Sequence, residues 1–270
     1  MRRASTTTMP TPASRKGDPT VAAVPPVEMT PTWTAASSPP ELSRGEIQIW
    51  HLPLVVDDAL LEQCLGVLGV EEHARATKFA FPYLRQRYIA AHGMLRMILA
   101  AILNCDAGDL EFRSGEHGKP YLVGDALQFN LSHSEEQGML GVTTLGELGV
   151  DVESMERKVE IQGIAQRFFS ERETEELFQL ESTEQCEGFF NLWTRKEAWL
   201  KATGIGISNG LNKIEFNCRP GEPARLLQIE GDEAEAANWH VHTFSTPAVG
   251  FVGSVAVREK PEKISFLAFE

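Results

Sequence analysis

The chain has 270 residues, 42% of them hydrophobic and 23% charged, a composition that can bury its own core without staples. Its 25 Lys and Arg against 38 Asp and Glu leave a formal charge of −13, which argues against a nucleic-acid binder dependent on a basic footprint. No apolar run approaches the roughly 20 residues of a membrane helix, and Cys64, Cys105, Cys186 and Cys218 are scattered without CxxC or zinc-like histidine spacing, as expected of free thiols in a cytoplasmic protein.

In chain order, residues 1–45 are rich in Thr, Ser, Ala and Pro and poor in acids, which predicts a disordered extension dispensable for catalysis. A transit peptide would share the Arg and Ser, but the prolines oppose its amphipathic helix. Alternation in "EIQIWHLPL" from Glu46 predicts a strand, followed by helices over 57–69 and 71–104, the second broken near Pro82. Short strands are expected at "LEFRS", "KPYLV", "LQFNLSHS", "GMLGVTTL" and "LGVDVESM", helices over 160–202, and strands at "LNKIEFNC", "ARLLQIEG", "WHVHTFST", "GFVGSVAV" and "ISFLAFE". The order strand, helices, strands, helices, strands predicts an α+β protein of two similar halves, residues 46–150 and 151–270.

Three groups of residues carry chemistry. In "GVDVES", Asp151 and Glu153 are two apart on a strand and therefore share a face. Paired carboxylates repel unless a cation joins them, and Mg²⁺ takes one or two carboxylates plus substrate phosphates. In "FFNLWTRKEAWLKATG", a helical wheel gathers Phe189, Phe190, Leu192, Trp193, Trp199 and Leu200 on one arc. Lys196 and Glu197 fall inside that arc and Lys201 at its edge, so these charges require a polar partner. "NLSHS" sets Ser132 and His133 at a strand end, and "HGKPY" offers Lys119 before the rigid Pro120. Arg75, Lys78, Arg85 and Arg87 form a basic cluster, part of it a solvated helix face. "GIGISNG" reads as a helix stop, and His240 and His242 as structural.

The succession "GKP", "FNLSHS", "GVDVE", "RFFS" and "WTRKEAWLKATG" resembles the 4'-phosphopantetheinyl transferases, nearest the branch named after the surfactin enzyme. The resemblance spans the chain from about residue 46. It implies two pseudo-symmetric halves around a cleft, usually in a monomer, and transfer of phosphopantetheine from coenzyme A to a serine of an acyl or peptidyl carrier protein. It further implies that Asp151, Glu153 and Glu197 hold Mg²⁺, that Glu197 is the base and that Lys201 neutralises the phosphates. Arg75, Arg87, Lys119, Pro120, Ser132, His133 and Lys196 would contact coenzyme A. Glu72 stands where the family usually has a second base beside Arg75. The carrier is expected near "MERKVEIQGIAQRFF", with Ile161, Ile164, Phe168 and Phe169 either exposed for it or packed on the core, and Arg157 and Lys158 facing its acids. The competing readings are a Mg²⁺-dependent phosphohydrolase and a non-catalytic coenzyme A or carrier-binding homologue.

Overall fold

Strand alternation gives the long central strands of the computed structural model two buried faces, and this sets the layers. The structure describes residues 28–124, 127–206 and 210–270. The strands are β1 (Thr34–Ala36), β2 (Glu46–Pro53), β3 (Phe112–Ser114), β4 (Pro120–Leu122), β5 (Gln128–Ser134), β6 (Gln137–Thr143), β7 (Leu148–Ser154), β8 (Ile214–Phe216), β9 (Leu226–Ile229), β10 (His240–Ser245), β11 (Phe251–Val257) and β12 (Lys263–Phe269). The helices are α1 (Asp58–Gly66), α2 (Val70–Ala76), α3 (Pro82–Leu103), α4 (Ile161–Phe168), α5 (Glu171–Gln179), α6 (Gln185–Thr203) and α7 (Glu233–Ala236).

One sheet runs β1-β12-β2-β6-β5, a second β10-β11-β7, and β3-β4 and β8-β9 are small hairpins. On β2, Trp50 and Leu52 join a core with α1 and α3, while Ile47 and Ile49 point the other way. Those two meet Val150 and Val152 of β7 and Val255 and Val257 of β11, so the sheets enclose a second core between them. A third core lies between the β10-β11-β7 sheet and α6. The result is a layered α/β molecule of two halves, each a sheet backed by one long helix.

Local signals account for the helix ends. Pro82 opens α3 at a position where its missing N–H is harmless, and Asn104 ends it in the left-handed region at φ 53°. Ser170 and Glu173 cap α5 reciprocally. Gly204, at φ 69°, ends α6. Residues 207–209 of that expected stop lie outside the described residues.

Two expectations require correction. The halves do not divide cleanly at residue 150. That boundary cuts β7, and β12 returns from the C-terminal end to pair in parallel with β2 in the first sheet. Such crossovers are set by which apolar face finds cover, which a linear boundary does not encode. The extension expected over 1–45 is also ordered where it is described. Met29 bridges to Phe244, β1 pairs with β12, and the Trp33 ring packs on Phe244 and Phe266 while its indole N–H donates to Ser245 O. Glu28 accepts from the Ala224 and Thr243 amides and pairs with His242. Residues 28–36 therefore strap β10 to β12. A chain starting at residue 37 should lose on the order of 2–4 kcal/mol, the scale for a large packed aromatic and its hydrogen bonds. Urea denaturation checks this, and an unchanged midpoint would refute the strap.

Candidate active site

The site lies at the seam where β5, the edge of the first sheet, meets β7, the edge of the second. Side chains span this seam. Asn130 Oδ1 accepts from the Val150 amide at 2.8 Å, and Ser134 Oγ accepts from the Ser154 amide at 3.2 Å. Val150 and Val152 point into the core between the sheets, so Asp151 and Glu153 turn to the opposite face, against α6. Gly149 permits the close approach, since a β-carbon there would overlap Ala198 O and Ala202 N of α6. On α6 itself, Thr194 bonds Ser254 of β11 and Arg195 donates to Thr243 of β10 and to Asn217, which fixes the helix roll.

This roll brings Glu197 and Lys201 to the β7 carboxylates. Lys201 Nζ lies 2.6 Å from Asp151 Oδ1 and 2.7 Å from Ser132 Oγ, and Ser132 donates to the same Asp151 oxygen at 2.9 Å. Asp151 Oδ2 and Glu197 Oε1 are buried and have no hydrogen-bond partner among the described residues. Burial first, then the Asp151 charge, with Lys201 opposing and Glu153 adding, pushes the Glu197 carboxyl up to about 7. Glu153 is raised by burial and by Asp151. His133 is lowered, chiefly by burial and then by Lys201 and His92.

Two adjoining clefts open here, with Pro120 and Leu131 lining both. The smaller, about 280 Å³, contains Glu197, Lys201 and Lys119. The larger, about 640 Å³, is lined by the cations Arg75, Lys78 and Arg113, the carboxylates Glu71 and Glu72, and the rings of Tyr88, His92 and His133, a mixed wall whose cations and rings suit a phosphorylated, ring-bearing ligand.

Several expected contacts fall elsewhere. Lys196 is fully buried, 2.7 Å from Glu173 and donating to Leu211 O and Ile214 O, so it belongs to the core of the second half and not to a ligand site. Lys119 lines the cleft, but its ammonium is spent on Leu148 O and Ala202 O, and burial lowers it to about 8. Arg87 lies outside the cleft walls and pairs with Glu136 at 2.6 Å. Glu72, the departure beside Arg75, pairs with Arg96 at 2.6 Å, contacts His92 and accepts from the Gly69 amide. Lys78 stands in the cleft with Arg75 instead. On α4, Ile161, Ile164 and Phe168 pack against the third core, and Phe169, just past its end, is buried in it, so the core role prevails for these residues. Arg157 lies 3.5 Å from Glu153.

Residue spacing on β5 matches that on β7. Ser132 and Ser134 are two apart on β5, as Asp151 and Glu153 are on β7, and each serine donates to one carboxylate. Trp193, read only as apolar, donates its indole N–H to Glu153 Oε1 at 3.2 Å.

Among the described residues no three His, Cys, Asp or Glu side chains are gathered at metal-ligand spacing. The donor set is nevertheless all carboxylate oxygen, with two buried oxygens unpartnered. That suits Mg²⁺, which is held by one or two carboxylates and otherwise by substrate phosphates and water.

The sequence pattern of the 4'-phosphopantetheinyl transferase superfamily matches residues 147–256, and that of the 4'-phosphopantetheinyl transferase N-terminal region matches residues 57–143. The 4'-phosphopantetheinyl transferase HetI of Nostoc sp. is 38% identical over 72% of this chain and 84% of its own. The chain belongs to the 4'-phosphopantetheinyl transferase family. The slr0495 protein of Synechocystis sp. is 37% identical over 77% of this chain and 82% of its own. The 4'-phosphopantetheinyl transferase Sfp of Bacillus subtilis is 25% identical over 77% of this chain and 91% of its own, so the surfactin branch is not singled out. No helix among the described residues is long and apolar enough to cross a membrane, and Cys64, Cys105, Cys186 and Cys218 are all free thiols.

Proposed function

We propose that this transferase moves the 4'-phosphopantetheine arm of coenzyme A onto a serine hydroxyl of an apo acyl or peptidyl carrier protein, releasing 3',5'-ADP. The observation that carries the reading is the junction of the two clefts. The wall that carries Arg75 and Lys78, with the neutral ring of His133 beside them, adjoins a pocket that holds Lys201 and an unpartnered Glu197 oxygen. A nucleotide phosphate held by the first wall would extend its pyrophosphate toward Lys201. Mg²⁺ held by Asp151, Glu153 and Glu197 would neutralise the phosphate oxygens and polarise the phosphorus.

Phosphoryl transfer asks the protein mainly for positioning and charge stabilisation. Glu197 accepts the proton of the carrier serine, directly or through one water. The serine oxygen forms a bond to the phosphorus of the arm, and the bond to the 3',5'-ADP oxygen breaks. Lys201, held by Asp151 and Ser132, faces the negative charge that collects on that leaving group. In this reading the protein acts as a cytoplasmic monomer.

The test is incubation with coenzyme A, Mg²⁺ and apo carrier proteins, followed by intact-mass measurement of the carrier. One added phosphopantetheine, lost with EDTA or with a carrier Ser→Ala variant, is the expected result. Bound coenzyme A with no mass shift across several carrier types would replace the transferase with a binding module.

A further inference from the structure

The three carboxylates at the seam are not held alike. Asp151 and Glu197 each keep one buried oxygen without a partner, whereas Glu153 has both oxygens engaged. Ser134 Oγ donates to Oε2 at 3.0 Å from β5, and the Trp193 indole N–H reaches Oε1 at 3.2 Å from α6. Both donors are fixed in turn. Ser134 is buried and accepts the Ser154 amide, which orients its hydroxyl proton toward Glu153. The Trp193 ring lies parallel to Phe189, with centroids 6.1 Å apart, and edge-on to Phe168 of α4 at 5.9 Å.

We infer that Ser134 and Trp193 are positioning residues that lock the Glu153 carboxylate from both sides, one from each half of the molecule. A carboxylate with both oxygens fixed by donors keeps one orientation, and its remaining lone pairs keep fixed directions. Asp151 is held at Oδ1 alone, by Lys201 and Ser132, and Asp151 Oδ2 and Glu197 Oε1 are left unpartnered among the described residues. Glu153 is thus the member of the set held at both oxygens. Its geometry depends on the seam between β5 and β7 and on the aromatic stack under α6. Donors behind a ligating carboxylate are worth about 10–100-fold in metal affinity or activity.

The inference rests on the metal role given to Glu153 above, and its test separates the two. Wild-type transfer is measured first, since its absence overturns the functional reading itself. With active wild type, the Mg²⁺ concentration for half-maximal transfer is measured for Ser134→Ala, Ser134→Thr and Trp193→Phe. Calorimetry then measures Mn²⁺ binding to each protein in the presence of coenzyme A, and coenzyme A binding in EDTA. Ser134→Ala and Trp193→Phe should each raise the Mg²⁺ midpoint and weaken Mn²⁺ binding by about tenfold or more, with coenzyme A binding in EDTA unchanged. Ser134→Thr, which keeps a hydroxyl, should stay near wild type. Wild-type metal dependence in both Ser134→Ala and Trp193→Phe would overturn the inference. So would equal impairment of Ser134→Thr and Ser134→Ala, or a loss confined to coenzyme A binding in EDTA. If Ser134→Ala does not fold, because the buried Ser154 amide is left without its acceptor, the Trp193→Phe measurement decides alone.

Discussion

Glu197→Gln should lose transfer by about 10²–10⁴-fold, the scale of a general base, and yet melt higher than wild type at pH 8. The reason is the cost of holding that carboxylate in a largely buried seam beside Asp151 and Glu153. The folded protein retains a proton on Glu197 up to about pH 7, against an ordinary value of 4.5. Between those two values the native state binds more protons than the unfolded chain. Stability from this group therefore falls as pH rises through that window and stays lower above it. Glutamine has the shape of the protonated acid and no charge to desolvate, so it escapes the loss. The melting curves of variant and wild type should converge near pH 5 and separate toward pH 8. Calorimetric scans across that range, with no coenzyme A or metal present, measure the separation, and intact-mass rates measure the loss of transfer. Full transfer by the glutamine variant would remove Glu197 from the chemistry. A constant melting difference at all pH values would remove the buried charge as the source of instability.

Much of this site was legible in the sequence because two short-range periods suffice to describe it. The two-residue period of β7 puts Asp151 and Glu153 on one face, and the four-residue step of α6 puts Lys201 one turn from Glu197. The strand and helix order was equally legible, with Pro82 and Gly204 marking ends where their backbone chemistry requires them. What escaped depends on contacts distant in sequence. Lys196 sits beside Glu197, but α6 is buried on nearly every side, so a wheel cannot say which neighbour each charge meets. Glu173, the partner of Lys196, belongs to a capping box on α5 and also reaches the Phe216 amide. The strap has large apolar side chains only at Met29 and Trp33, and its composition otherwise reads as unstructured. Arg87 and Lys119 are cations near the right elements whose ends were claimed by Glu136 and by two carbonyls.

Lys196→Met and Glu173→Ala should each destabilise the fold by about 3–5 kcal/mol, the cost of leaving one member of a buried ion pair alone. Neither should change the coenzyme A KM of the folded fraction. Lys201→Met should do the reverse, raising KM and lowering kcat with a modest effect on stability, because its ammonium is part-exposed at the cleft. Urea denaturation and initial rates at several coenzyme A concentrations separate the two lysines. A raised KM in a folded Lys196→Met enzyme would return that lysine to the ligand site. The double variant Lys196→Met/Glu173→Leu shows which physical effect dominates. Replacing a buried pair by apolar side chains is often neutral when the pair bonds only to itself. Here it does not. Lys196 also satisfies Leu211 O and Ile214 O, and Glu173 satisfies the amides of Ser170 and Phe216. Removing both side chains leaves four backbone groups without these partners, at about 1–3 kcal/mol for each that stays buried and unsatisfied. The double variant should therefore remain well below wild type. Its instability would identify the pair as the junction that ties α5, α6 and β8 together, and so holds the face of α6 that carries Glu197 and Lys201 against β7.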